Sequence, residues 1–476
     1  MKKKILAILL LCGALTAGAK VKLPALMGDN MVLQQQTDAR LWGWADAGAT
    51  VRVSTSWDGQ THTCRAGSDG RWLLTVKTPA GSYTPYEITF DDGELVTLRG
   101  VLVGEVWLAS GQSNMEMPLR GFGGCCVQDG VDEVIAAADH PYVRFFTVPL
   151  NMSHELEYDC AAAWQVPSVH TAAGFSATAW FFATSLEKAL RVPVGMVVSA
   201  FGGTRVESWL SREVLQGYPD VNLQREAIDA YEPAYMRPML MYNAMQVPVR
   251  NYTFKGIIWY QGEGNVGAHQ TYAQRLADMV RLWRSDFRLG DIPFYYVEIA
   301  PYAYGDNGQG LQGAYLREAQ FRAQSLIPNS AMVSTNDLVE PYELFNIHPR
   351  NKRTVGRRLS YLALNLTYGM KQINCWGPQY KSWTAKGNEA WVSFDNLQMG
   401  ICRNYDIRGF EVAGEDHVFH PADNVWLHWQ TNELVVSSKA VAHPVAVRYA
   451  FRDFLPGTLI GGNELPAVPF RTDNWQ

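Results

Sequence analysis

The chain is short of charge. Only 18% of its 476 residues are Asp, Glu, Lys or Arg, acids outnumber bases, and the formal net charge is −5. No Lys/Arg cluster in the body of the chain offsets this, which argues against a nucleic-acid partner. Cysteine is also scarce. None of the seven has zinc-ligand spacing, and the adjacent Cys125 and Cys126 cannot easily bridge each other. Internal repeats and low-complexity linkers are missing. After the first twenty residues no apolar run is long enough to span a bilayer without charge, so a soluble protein is expected. Disorder is excluded by the 47% hydrophobic content. The length exceeds one ordinary core and predicts two or three domains.

The one long apolar run stands at the start, MKKKILAILLLCGALTAGAK. Three lysines, an apolar stretch and Ala17-Gly18-Ala19 have the order of a secretory signal cleaved after Ala19. Residues 1–19 are therefore read as a signal peptide and the protein as exported, periplasmic or secreted. Removing them removes three lysines and no acid, and takes the formal charge from −5 to −8. Six cysteines remain, and in an exported protein disulfides are available to them.

The texture of the chain divides it further. Residues 20–100 read as a β-rich domain, with alternating runs such as VRVSTSW (51–57) and RWLLTV (71–76) punctuated by Asp58-Gly59 and Asp69-Gly70. From 101 to 370, near-continuous apolar strands alternate with amphipathic helices. In 272–287, Leu276, Met279, Val280, Trp283 and Phe287 share a helical face. In 351–366, Val355, Leu359, Leu362 and Leu366 do the same. That pattern predicts an α/β domain with a parallel sheet flanked by helices. Residues 371–476 return to short strands and turns, a second β-rich segment.

In open α/β sheets, sites form beyond the carboxyl ends of strands. Four such places carry unusual polar sets: Gly111-Gln112-Ser113-Asn114, Gly202-Gly203-Thr204, Gln261-Gly262-Glu263-Gly264-Asn265 and Asn346-Ile347-His348-Pro349. Together they supply what acyl transfer needs. Ser113 is a hydroxyl nucleophile and His348 a base of suitable pKa. Gly203 offers a backbone N–H, and Gln261 or Asn265 a side-chain amide, to an oxyanion. Each feature alone has an ordinary explanation as a turn, cap or buried hydrogen bond. Their combination at successive strand ends is what points to chemistry.

GQSNM, GGT, WYQGE and IHPRNK, in this order, resemble the conserved blocks of the SGNH (GDSL-like) hydrolases, and more narrowly the sialate O-acetylesterase family. LMGDNMVLQQ (26–35), LWGWADAGATVRV (41–53), GFEVAG (409–414) and LPAVPFRTDNW (465–475) extend the likeness over nearly all of residues 21–476. The resemblance implies an SGNH-type α/β/α domain and hydrolysis of O-acetyl groups on sialic acid, without cofactor or metal. It implies Ser113 as nucleophile and His348 as base, with the Ser113 N–H, Gly203 and Gln261 or Asn265 as oxyanion donors. The chain departs from the pattern where the family's D-x-x-H puts an acid: position 345 is Phe. Asp337, Glu340 or Glu343 could orient His348. Alternatively a backbone carbonyl or the Asn346 amide does so. The rate is expected to fall as pH drops through the His348 pKa, near 6–7 for an unperturbed imidazole. Two other readings stay open: an esterase for other acetylated polysaccharides such as xylan, and a carbohydrate-binding protein with an inactive SGNH core.

Overall fold

A computed structural model describes residues 21–404 and 406–475; the expected signal peptide lies outside the described residues. The N-terminal strands are β1 (Val32–Gln34), β2 (Asp38–Trp44), β3 (Thr50–Thr55), β4 (Thr61–Arg65), β5 (Arg71–Lys77) and β6 (Ser82–Asp91). The next strand, β7 (Leu95–Gly111), is 17 residues long and serves two neighbourhoods. Its first part pairs antiparallel with β6, and its middle pairs with β1. Its last part lies parallel between β9 (Val194–Ala200) and β10 (Gly256–Tyr260). The expected division at residue 100 falls inside this strand.

With β8 (Val143–Thr147), β11 (Phe294–Val297) and β12 (Ser330–Val333), the parallel part runs in the order β8-β9-β7-β10-β11-β12. The chain leaves β7 towards β8 and β9 on one side and later builds β10 to β12 on the other. The carboxyl end of β7 is thus the topological switch point, the place where such sheets hold their sites. Both faces are covered. Leu108 packs into one core with Leu276, Met279 and Trp283 of α3 (His269–Phe287), against which α4 (Gln312–Ala323) also lies. Trp107 and Ala109 face the opposite way, into a second core with α2 (Ala177–Leu190) and α5 (Lys352–Leu362).

The helical stripes read from sequence correspond to these buried faces, with one exception. Leu366 is 36% exposed, because α5 ends at Leu362 and the chain continues as a π turn over Ala363–Thr367 that breaks the periodicity. The C-terminal segment forms two four-stranded sheets around a third core that includes Val392, Val412, Leu434 and Tyr449. It is fastened to the α/β unit by Arg471–Glu318 and by Asp453, which accepts the Gly313 N–H at 2.7 Å. All six cysteines of the described residues are free thiols, so the disulfides available to an exported chain are not formed.

Candidate functional site

The register brings three of the four polar sets level. Gly111 at the end of β7 pairs with Ala200 of β9 on one side and Tyr260 of β10 on the other. Gly111 permits this: its φ is +138°, and a Cβ there would lie 2.1 Å from the Tyr260 carbonyl oxygen. The chain then turns into α1 (Ser113–Glu116). Ser110 and Asn114 are fully buried, whereas Ser113 between them is only half-buried. The Ser110 hydroxyl donates to the Ser199 carbonyl and is committed to the sheet. No partner within the described residues takes the Ser113 hydroxyl or its N–H.

The glycine pair packs directly on this turn. A Cβ on Gly202 would sit 3.3 Å from Ser113 Cβ. Its N–H donates to Glu116 at 2.6 Å, and burial raises the Glu116 pKa. Gly203 keeps a backbone N–H without a partner among the described residues. Its φ is +76°, and the Tyr235 ring would be 2.4 Å from an added Cβ, so glycine is required twice over.

Gln261 and Asn265 are engaged elsewhere, which corrects the expectation that one is a free donor. Gln261 Nε2 donates to Thr204 O at 3.0 Å and to Asn265 Oδ1 at 2.8 Å, and its Oε1 accepts from Tyr272. Asn265 Nδ2 donates to Glu207 at 2.9 Å. Both amides are buried and shape the Thr204–Glu207 loop. The motif shows an amide at each position; the allocation of its protons depends on the fold.

The fourth set arrives through Asn114. Its Nδ2 donates to the Ile347 carbonyl at 3.0 Å and to Glu263, tying the residue after Ser113 to the residue before His348. The His348 ring packs edge-on to Phe122, 5.3 Å between centroids. Asn346 Oδ1 accepts the His348 backbone N–H at 3.0 Å and the Cys125 thiol at 3.4 Å. No carboxylate reaches the imidazole among the described residues. Asp337 places both oxygens on Arg358, at 2.7 and 2.6 Å. Glu340 and Glu343 form a reciprocal cap, and Glu343 also accepts the Arg350 N–H at 2.9 Å. Of the alternatives left open for orienting His348, Asp337 and Glu340 have other partners: a guanidinium holds the first and a backbone N–H the second. Burial, and next the charge of Lys352, pull the His348 pKa down to about 4, well below the expected 6–7.

Sequence reasoning missed Glu116 and Lys352. Lys352 is 1% exposed, and its Nζ donates to Asn114 Oδ1 at 2.6 Å and to Pro349 O at 2.8 Å. One signal was present: Lys352 and Arg353 open α5, where the helix dipole disfavours cations. Charges placed against the dipole need another reason. Among the described residues, no group of three or more His, Cys, Asp or Glu is placed to hold a metal ion.

The comparisons with known proteins agree with this architecture. Over 96% of this chain and all of the other, the structure superposes on a carbohydrate acetylesterase from Xanthomonas citri, with TM-score 0.85 and 34% identity. The fold is thus that of a carbohydrate esterase, a carboxylic-ester hydrolase. The sialate O-acetylesterases of Mus musculus and Homo sapiens are 28% and 27% identical over 92% of this chain, covering 90% and 88% of theirs. Residues 103–365 match the family described as carbohydrate esterase, sialic acid-specific acetylesterase, and the chain belongs to that family.

Proposed function

We propose that the protein is a sialate O-acetylesterase in which Ser113 is the nucleophile and His348 the base. Ser113 Oγ attacks the acetyl carbonyl and gives its proton to the imidazole. The N–H groups of Ser113 and Gly203 receive the oxyanion, without help from Gln261 or Asn265. The imidazolium then protonates the departing sugar oxygen as its bond to the acyl carbon breaks, and water, deprotonated by the same histidine, attacks the acyl-serine and releases acetate. The observation that carries the reading is the Asn114 bond to Ile347 O at 3.0 Å, because it holds the serine turn against the histidine loop at the switch point of the sheet. Among the described residues no carboxylate bonds to the His348 ring, so the pair acts as a dyad.

Arg205 supports an acidic sugar as substrate. It lies two residues past Gly203, its Nε is buried without a partner, and its Nη1 donates to Tyr231 at 2.8 Å. It lines a cavity of about 190 Å³ with Tyr231, Met236, Pro238 and the ion-paired set Arg275, Glu207 and Asp220. A guanidinium so placed suits a sugar carboxylate. The likeness to a carbohydrate acetylesterase favours a second reading, an esterase for other acetylated glycans. The basic, apolar, A-x-A start supports export. The texture of residues 371–476 supports a separate C-terminal unit, whereas β7 runs through the boundary between 20–100 and 101–370 and supports their acting as one.

The test is acetate release from acetylated sialic acid, with acetylated xylan as competitor, for the native chain and Ser113→Ala. The variant should fold and lose at least about 10⁴ in kcat. A folded variant retaining a tenth of the activity would remove Ser113 as nucleophile. Preference for xylan would move the substrate to the second reading.

A further inference from the structure

The dyad leaves unused a buried cation in its own wall. Lys352 is bonded on one side to Asn114, the residue after the nucleophile, and on the other to Pro349, the residue after the base. Asn114 in turn grips Ile347 O and Glu263. Two side chains therefore stitch the serine turn, the end of β10 and the histidine loop into one unit. Holding a lysine there is costly. Its amine is desolvated and sits in the first turn of α5, where the helix dipole opposes a cation; burial pulls its pKa down to about 7, so it carries its charge through the lower range in which His348 titrates.

The groups facing it come from four segments. Glu263 and Tyr260 belong to the end of β10, Glu343 and His348 to the loop before α5, Cys125 to the loop after α1, and Asn114 to α1 itself. None of the acids forms an ion pair with Nζ within 4.0 Å among the described residues. Glu343 is occupied by backbone N–H groups. Glu263 is reached only through Asn114, whose amide accepts from the lysine and donates to the carboxylate. The charge is balanced at a distance and exerts its field on the imidazole.

We propose that Lys352 is a positioning residue of the esterase: it clamps the Ser113 turn to the His348 loop through Asn114 and Pro349, and it holds its ammonium at the carbonyl of the residue that follows His348. The proposal rests on the Ser113–His348 reading. Two consequences separate the clamp from the charge. Losing the clamp lets the nucleophile and base drift apart, and a displacement of about 1 Å costs about 10² in rate. Losing the charge lets His348 take a proton at higher pH, which moves the acid limb of kcat/KM upward.

The experiment is the pH profile of a small chromogenic acetate ester for the native chain, Lys352→Met and Asn114→Ala, each with a folding control. Lys352→Met should lower plateau kcat by about 10²-fold, leave KM within about threefold, and raise the acid limb from near 4 by about one pH unit. Asn114→Ala should lower kcat with the limb unmoved, because the ammonium stays. If Lys352→Met does not fold, Lys352→Gln keeps a neutral donor and should show the same shift of the limb. A Lys352 variant with kcat within about threefold of native, or with an unmoved limb, overturns the proposal. An inactive native chain sinks the Ser113–His348 reading itself, so the two failures are distinct.

Discussion

At the scale of single residues, the site is built from side chains whose partners decide their roles. Asp337 illustrates this. From sequence it is an acid near a histidine; in the fold it closes a bidentate pair with Arg358, which is 5% exposed. Asp337→Asn should therefore act on stability. Leaving a buried guanidinium without its carboxylate costs about 3–5 kcal/mol, which a urea unfolding curve reads. Activity per folded molecule should stay within about threefold of native. A loss of kcat of about 10³ without a change in stability would restore Asp337 as the third catalytic member. The polar sets that carry Ser113 and His348 were legible as strand-end motifs because they are short and local. The assignments of Gln261, Asn265 and Lys352 were not, because an amide or ammonium reveals its acceptor only once distant segments have met. Asn114 and Lys352 are 238 positions apart.

At the scale of elements, the strand ends carry the precision. Gly111→Ala would press a Cβ against the Tyr260 carbonyl and force an L side chain to φ +138°. The expected cost is about 2–4 kcal/mol from overpacking and backbone strain, with a fall in kcat because Ser113 lies two residues on. Denaturation midpoints and kinetics on the same preparation check both; an unchanged midpoint would mean that the strands can part at no cost. Strand and helix texture was readable here because buried parallel strands and amphipathic helices have different periods. The length of β7 was not. Its first part is partly exposed and its last part near-continuously apolar, so the pattern reads as two elements. Leu366 was misplaced for a related reason: periodicity extends a helix past the turn at which the backbone leaves it.

At the scale of the whole molecule, β7 makes the N-terminal sheet part of the catalytic unit. Val101, Leu102 and Val103 are buried by β1, β6 and their surroundings. A chain beginning at residue 101 should lose its cooperative thermal transition and its esterase activity together. The full chain should melt these two parts as one. Recovery of a sharp transition by the shortened chain would show that the parallel sheet stands alone. The same strand also sets an order in time. Its first part can close a hairpin with β6 as soon as both emerge from the ribosome. The neighbours of its last part arrive about 90 and about 150 residues later, as β9 and β10. During synthesis, one end of the strand is already held while the other, which will carry the serine, offers two unpaired edges. That interval is when the nascent chain is most exposed to mispairing with other strands.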